Sequence, residues 1–512
     1  MDPLILIGAA LLFAAVLVAA LGARPGSQLR IPGTLLFLGI GMLVGDDGLA
    51  LIRLDDTELV RDLGIVALLF ILFEGGLTTK PTDLRLAAVP ALLLSTVGVV
   101  VTAGITGGGV WLLLDVEPLT AALIGAVVAS TDAAAVFSMM RTTPLPRRVS
   151  ALLRIESGAN DPVAVILTVG LLAAYEGTAS GAGDWVWFVS VQLFAGLLVG
   201  GAIGAGGVWL LRRIELGIDG LYPVLAASIG GIAYGLTSLV GGSGFVAVYV
   251  TGVAIGSLVP RRRRSVLGFH EALANAAEVG LFLLLGLLVF PSRLPSVAVP
   301  ALLVALVLIV VARPVAVALC TLGSRYGWRE QTVVGWAGLR GALPIVLATF
   351  PYTVGVPQGD TIFDVVFFVV LVSVLVQGTS LLPLVRALGL EERRAAWAPV
   401  AEALPLDWMD VDLVELVVTE EMPLAGCELR EVGRPPRTQV TAVVRADEIV
   451  IPTGETRLQA GDILLMTTQG EDDALDTVIR WARGETSGGD AGPADGQPGD
   501  GKAGDGQVGD DR

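Results

Sequence analysis

Apolar residues fill most of this chain in stretches long enough to cross a bilayer, separated by short polar loops. A helix needs about 17–25 apolar residues to traverse the hydrocarbon layer. Runs of that length predict thirteen spans, near 3–22, 32–50, 60–77, 87–114, 119–140, 150–175, 186–211, 221–240, 243–259, 273–290, 297–321, 331–352 and 363–386. Ala20-Leu21-Gly22-Ala23 looks cleavable, but Asp2 is the sole early charge and no basic start precedes the first run, so it is expected to be a retained helix.

The pattern changes after residue 390. Residues 391–410 read as a charged, Pro-containing linker. Alternating runs Leu413 to Thr419, Gln439 to Arg445, Glu448 to Pro452 and Asp462 to Thr467 read as strands, and Asp472 to Arg483 as a closing helix. From Gly484 to Arg512 large apolar residues almost vanish, which predicts a disordered acidic tail. The expected fold class is an all-α polytopic membrane protein of about 13 transmembrane helices. The expected divisions are a membrane domain over 1–390, a linker over 391–410, a small α+β domain over 411–483 and a tail over 484–512.

Composition agrees. AVILMFWYC make up 54% of the 512 residues, 65 more are glycine, and mean hydropathy is +0.76. A soluble enzyme of this size has no use for that much apolar surface. The net charge of −16 is uneven: residues 1–390 hold 22 Lys and Arg against 23 Asp and Glu, residues 391–512 hold 11 against 26. An acidic polar quarter excludes nucleic acid as a partner and leaves the lipid bilayer as the chain's surroundings. Cys320 and Cys427 are too few for a disulfide framework or a thiolate metal site.

Loop charges set an orientation. Arg24, Arg30, Lys80, Arg85, Arg141, Arg147, Arg148, Arg212, Arg213, Arg261 to Arg264, Arg325, Arg329, Arg393 and Arg394 fall on one side; Asp46, Asp47, Asp55, Asp56, Asp115, Glu117, Glu176, Asp184 and Asp360 fall on the other. By the positive-inside rule the first side is cytoplasmic, with the N-terminus outside and the C-terminal domain inside the cell membrane. Arg261 to Arg264 read as a topology anchor before a lipid head-group site.

Ionisable residues within apolar spans are costly and therefore functional candidates. Glu74, Asp132, Glu156, Asp161, Arg313 and Arg340 are the best centred. On a helix Ser157 shares a face with Asp161, and Glu156 shares one with Asn160. The first face offers hard oxygen ligands for an alkali cation, and the second carries a carboxylate in need of a cation. A helix start at Asn160-Asp161-Pro162 is the structural alternative. Ser130-Thr131-Asp132 and Gly338-Leu339-Arg340-Gly341 lie mid-span in sequence unsuited to continuous helix, so spans five and twelve are expected to be broken. A shift of seven spans inverts direction, so spans 1–6 and 8–13 are expected to be inverted repeats. Buried Arg340 calls for a carboxylate, and Glu156 is the candidate.

Thr131-Asp132, Glu156-Ser157-(x)2-Asn160-Asp161 and Gly338-Leu339-Arg340-Gly341-Ala342, in order and at matching spans, resemble the monovalent cation:proton antiporter-1 family over residues 3–386. Leu72 to Leu77, Ala312-Arg313-Pro314 and Gly338 to Pro351 are most similar to its bacterial potassium/proton antiporter branch, and 411–483 resembles the RCK-type, TrkA-C-like domain that accompanies it. The resemblance implies a homodimer and a cation/proton-binding set: Asp161 as carrier, Asn160 and Thr131 stabilising the crossing of the broken helices, and Ser157, Asp132, Glu74 and the Thr131 carbonyl assisting K+ or Na+. It implies a structural pair of Glu156 with Arg340, no cofactor, a small-molecule effector on 411–483, and, from the Asn-Asp pair, electroneutral exchange. Ala133 departs from the pattern, since many relatives carry proline there. A carboxylate in a partly dehydrated cavity has a raised pKa, which lets proton and cation compete.

Rival readings are weaker. Thr96 to Gly98, Thr168 to Gly170 and Thr353 to Gly355 lack the following residues of a channel filter. His270 is the sole histidine, without a serine-base pair or second metal ligand for an enzyme, and reads as structural. Exchange of Na+ or Li+ instead of K+ is the alternative within the same fold.

Overall fold

The computed structural model describes residues 33–52, 57–140, 145–177, 181–218, 220–258, 263–391, 400–406, 411–420, 422–433, 438–445 and 448–469, with single positions 8, 12, 16, 478, 481 and 482. The chain divides into two compact units, 1–394 and 395–512.

The first unit is helical. Its elements are α1 Gly33–Val44, α2 Thr57–Thr78, α3 Pro81–Leu93, α4 Val99–Leu114, α5 Pro118–Val127, α6 Ala133–Met139, α7 Arg147–Tyr175, α8 Ala182–Arg213, α9 Leu221–Leu239, α10 Gly244–Leu258, α11 Arg263–Leu288, α12 Leu294–Leu306, α13 Arg313–Cys320, α14 Trp328–Trp336, α15 Ala342–Val354 and α16 Gly359–Ala387. π-helical segments Leu94–Gly98 and Val307–Ala312 join α3 to α4 and α12 to α13 into two long rods. Among the described residues seven helical stretches are long and apolar enough to cross a membrane: 83–114, 147–175, 183–213, 221–239, 265–288, 294–320 and 359–387. Helix occupies every expected span from 32–50 onward. Span 3–22 lies outside the described residues, apart from helical Gly8, Leu12 and Val16.

With lipid outside, helices gain most from close backbone approach at small residues. α2 packs on α10 in this way: a Cβ at Gly252 would lie 2.6 Å from the Phe73 carbonyl oxygen, and one at Gly76 would lie 2.5 Å from that of Tyr249. α8 turns Trp187, Phe194, Leu198 and Trp209 outward, more than half exposed, as a lipid-facing helix does.

The second unit holds an antiparallel sheet in the order β1-β2-β5-β3-β4, with β1 Val400–Leu406, β2 Val411–Val417, β3 Thr438–Arg445, β4 Glu448–Val450 and β5 Ile463–Gln469. Val414, Leu416, Val443, Leu464, Met466, Val478 and Trp481 form its core. Four strands lie close to the expected runs. The fifth, β1, falls inside 391–410, the stretch expected to be linker; its charged, Pro-containing sequence hides an edge strand paired with β2 from Leu406↔Val411 to Val400↔Leu416. Of the expected closing helix only Val478, Trp481 and Ala482 are described, and they are helical; the tail 484–512 lies outside the described residues.

Candidate ion-binding site

Two interrupted helices meet at the centre of the first unit. α5 ends at Val127 and α6 begins at Ala133; α14 ends at Trp336 and α15 begins at Ala342. The non-helical strands between them cross: the Asp132 amide donates to the Leu339 carbonyl at 2.8 Å. Breaking a helix in a dry interior orphans carbonyls, and something must donate to them. Arg340 does so, its Nη1 donating to the carbonyls of Ala129 at 2.6 Å and Ser130 at 2.5 Å. Asp132 sits at the N-terminus of α6, where its Oδ1 accepts from the Ala135 amide at 3.3 Å. Gly341 allows the approach, because a Cβ there would lie 2.5 Å from Asp132 Oδ2.

α7 runs unbroken through Pro162, so Asn160-Asp161-Pro162 is helix interior and not a helix start. Its Ser157 Oγ donates to the Thr131 carbonyl at 3.0 Å and accepts from the Ala133 amide at 3.0 Å. Asn160 Nδ2 donates to Thr131 Oγ1 at 2.6 Å. Ala133 thus uses the amide hydrogen that a proline would lack. Asp161 is half-buried one turn from Ser157. Asp132 lies within its electrostatic range, and no cation among the described residues pairs with Asp161. The structure therefore gathers Thr131, Asp132, Ser157, Asn160 and Asp161 around one crossing. Glu74, on α2, is in electrostatic range of Glu271 and Arg154, and of Glu278.

The expected Glu156–Arg340 pair is not formed. Glu156 pairs with Arg313: Nη1 donates to Oε1 and Nη2 to Oε2, the latter at 2.8 Å, with both side chains at most 3% exposed. The reason is a division of labour. Arg340 is held by the carbonyls of the first break, and Arg313 leaves the π segment 307–312 against Gly338, where a Cβ would lie 2.6 Å from its Nε. The other π segment brings Ser95 to the same place, its Oγ donating to the Glu156 carbonyl at 3.1 Å. Such segments commonly re-aim side chains at functional sites.

Glu278 on α11 is half-buried, in electrostatic range of Asp132 and Glu74, and escaped the sequence reading because it lies near the start of its span. His270 is 1% exposed, its Nδ1 2.8 Å from the Val266 carbonyl and its ring 5.0 Å from that of Phe73, a packing role. Among the described residues no group of three His, Cys, Asp or Glu is arranged to hold a metal ion. What the crossing offers is hydroxyl, carbonyl and carboxylate oxygen, suited to a weakly held alkali cation.

Comparison with known proteins decides the family. The family model for the transmembrane sodium/hydrogen exchanger matches residues 12–387. The chain belongs to that family. A TrkA-C domain matches residues 413–481. The K(+)/H(+) antiporter NhaP2 of Shewanella baltica (strain OS223) is 39% identical over 472 residues, 91% of this chain and 80% of that protein. The K(+)/H(+) antiporter NhaP of Alkalimonas amylolytica is 35% identical over 90% of this chain and 81% of its own length. The Na(+)/H(+) antiporter ApNhaP of Aphanothece halophytica is 30% identical over 75% of each chain. In fold, the exchanger resembles the sodium proton antiporter MjNhaP1 of Methanocaldococcus jannaschii, with a TM-score of 0.66, 22% identity, and coverage of 76% of this chain and 99% of that one.

Proposed function

We propose that this exchanger moves a monovalent cation, K+, against protons, one for one, with Asp161 carrying whichever of the two is bound. The observation that carries the reading is the crossing, where Asp161 stands one turn from Ser157 and in electrostatic range of Asp132 and, among the described residues, pairs with no cation, while Glu156 is neutralised by Arg313 and Arg340 donates to carbonyls. A carboxylate beside broken helices and without a cationic partner binds a proton or a dehydrated cation, and crossing the membrane empty is costly, which couples the two fluxes. K+ is favoured by the names of the relatives that span both units; Na+ or Li+ is the second reading, favoured by the name of the Aphanothece relative. The protein acts as a carrier, not an enzyme. In this reading 1–390 is the transport domain, 411–483 the regulatory domain with a small-molecule effector, and 484–512 a tail. The exchanger is a homodimer in the cell membrane, N-terminus outside and C-terminal unit in the cytoplasm. Proton flux in proteoliposomes, challenged separately with K+, Na+ and Li+, tests it: saturable flux with K+ supports the reading, flux with Na+ or Li+ alone replaces it with the second, and none with any cation refutes both.

A further inference from the structure

In the apolar stretch of α16, Ser373, Gln377 and Ser380 are spaced four and three apart and hence lie on one helix face, while Thr379 points away and is exposed. Ser373 and Gln377 are at most 1% exposed. Neutral polar groups so deep in a membrane helix are retained where they satisfy another buried polar group, and here the partner is the second break. The Arg340 amide donates to Ser373 Oγ at 3.1 Å, Ser373 Oγ donates to Gln377 Oε1 at 2.5 Å, and Gln377 Nε2 donates to the Trp336 carbonyl at 2.9 Å. Ser380 Oγ accepts from the Trp336 indole at 2.8 Å.

Residues 336 and 340 are four apart. In a continuous helix the Arg340 amide would donate directly to the Trp336 carbonyl. The two α16 side chains occupy the place of that missing bond: both orphaned groups are satisfied, and the helix has no incentive to close. The same segment reaches the first break directly, the Leu339 carbonyl accepting from the Asp132 amide and the Arg340 guanidinium donating to the Ala129 and Ser130 carbonyls.

We propose that Ser373 and Gln377 form a clamp that holds the second broken helix open and thereby positions Asp132 and the crossing at the ion site. They touch neither ion nor proton; they act through the backbone of 336–340. The inference deepens the exchange reading and rests on it.

The test uses full-length protein with Ser373→Ala, Gln377→Met, their double variant and the exposed control Thr379→Ala. Two quantities are read: K+-dependent proton flux in proteoliposomes, and backbone amide exchange by mass spectrometry. Loss of one bridging hydrogen bond should raise the half-saturating K+ concentration about fivefold, with a smaller change in maximal rate. Because both side chains complete one bridge, the double variant should equal the singles instead of multiplying them. Amides of 128–132 as well as 337–341 should exchange faster, since loosening one break frees the other. Thr379→Ala should match the unaltered protein. Unchanged half-saturation in folded variants, or faster exchange confined to 337–341, would overturn the clamp. An unaltered protein that moved no cation would count against the exchange reading itself, and amide exchange would still decide the clamp.

Discussion

At the scale of single residues, the two buried arginines show how a dry interior distributes its charges. Arg313 neutralises Glu156 directly, while Arg340 spends its guanidinium on backbone carbonyls. Removing one member of the first pair leaves an uncompensated buried charge and should cost about 3–5 kcal/mol. Arg313→Met with Glu156→Gln should cost less than the sum of the singles, whereas Arg340→Gln with Glu156→Gln should be close to additive; thermal unfolding in detergent separates the two. A second pair lies in the sheet unit. Asp462 is 1% exposed and accepts from Arg445 Nε and Nη2, both at 2.7 Å, and that guanidinium holds its carboxyl below the usual range. With the folded value lowered, the stabilisation is complete above the unfolded pKa of about 3.9 and is lost as pH falls through the folded one. The urea midpoint of this unit should be flat above that point and drop below it. Arg445→Met should lower the neutral midpoint and flatten the acid limb; an unchanged acid limb would refute the pairing.

At the scale of elements, the two breaks are the feature on which the site depends. Gly341 lies directly against Asp132, and Gly341→Ala would drive a methyl into the Asp132 carboxylate. The expected result is a correctly inserted protein with cation-driven proton flux lowered at least tenfold, about 1.4 kcal/mol of lost site geometry. Much of this was legible in the sequence. Thr131-Asp132 and Gly338 to Gly341 interrupt apolar spans with residues that helices avoid, and charges such as Asp161 stand out against hydrocarbon. The partner of Glu156 was not legible: Arg313 and Arg340 are both mid-span arginines, and spacing along the chain does not report that a π segment turns one of them toward α7. Ser373 and Gln377 were hidden because neutral polar residues barely lower the hydropathy of their span. β1 was hidden because an edge strand tolerates the proline and charges that otherwise mark a linker.

At the scale of the molecule, every residue placed around the crossing belongs to the unit 1–394, and the sheet belongs to 395–512. A domain that holds none of the ion-site residues can bias transport only by binding differently to two transport states. Removal of 395–512 should therefore leave exchange in place and shift its dependence on pH and cation, while removal of 484–512 should do little; complete loss of exchange in a stably inserted 1–394 chain would make the domain obligatory. Cutting after 410 is the poorer experiment, because it strands β1 without β2. If Asp161 carries proton and cation in turn, the decisive measurement is K+-driven proton flux by Asp161→Asn in proteoliposomes, beside its melting temperature in detergent. The expected variant is folded as well as the unaltered protein and moves no protons in response to K+. Saturable exchange by that folded variant would contradict the carrier role.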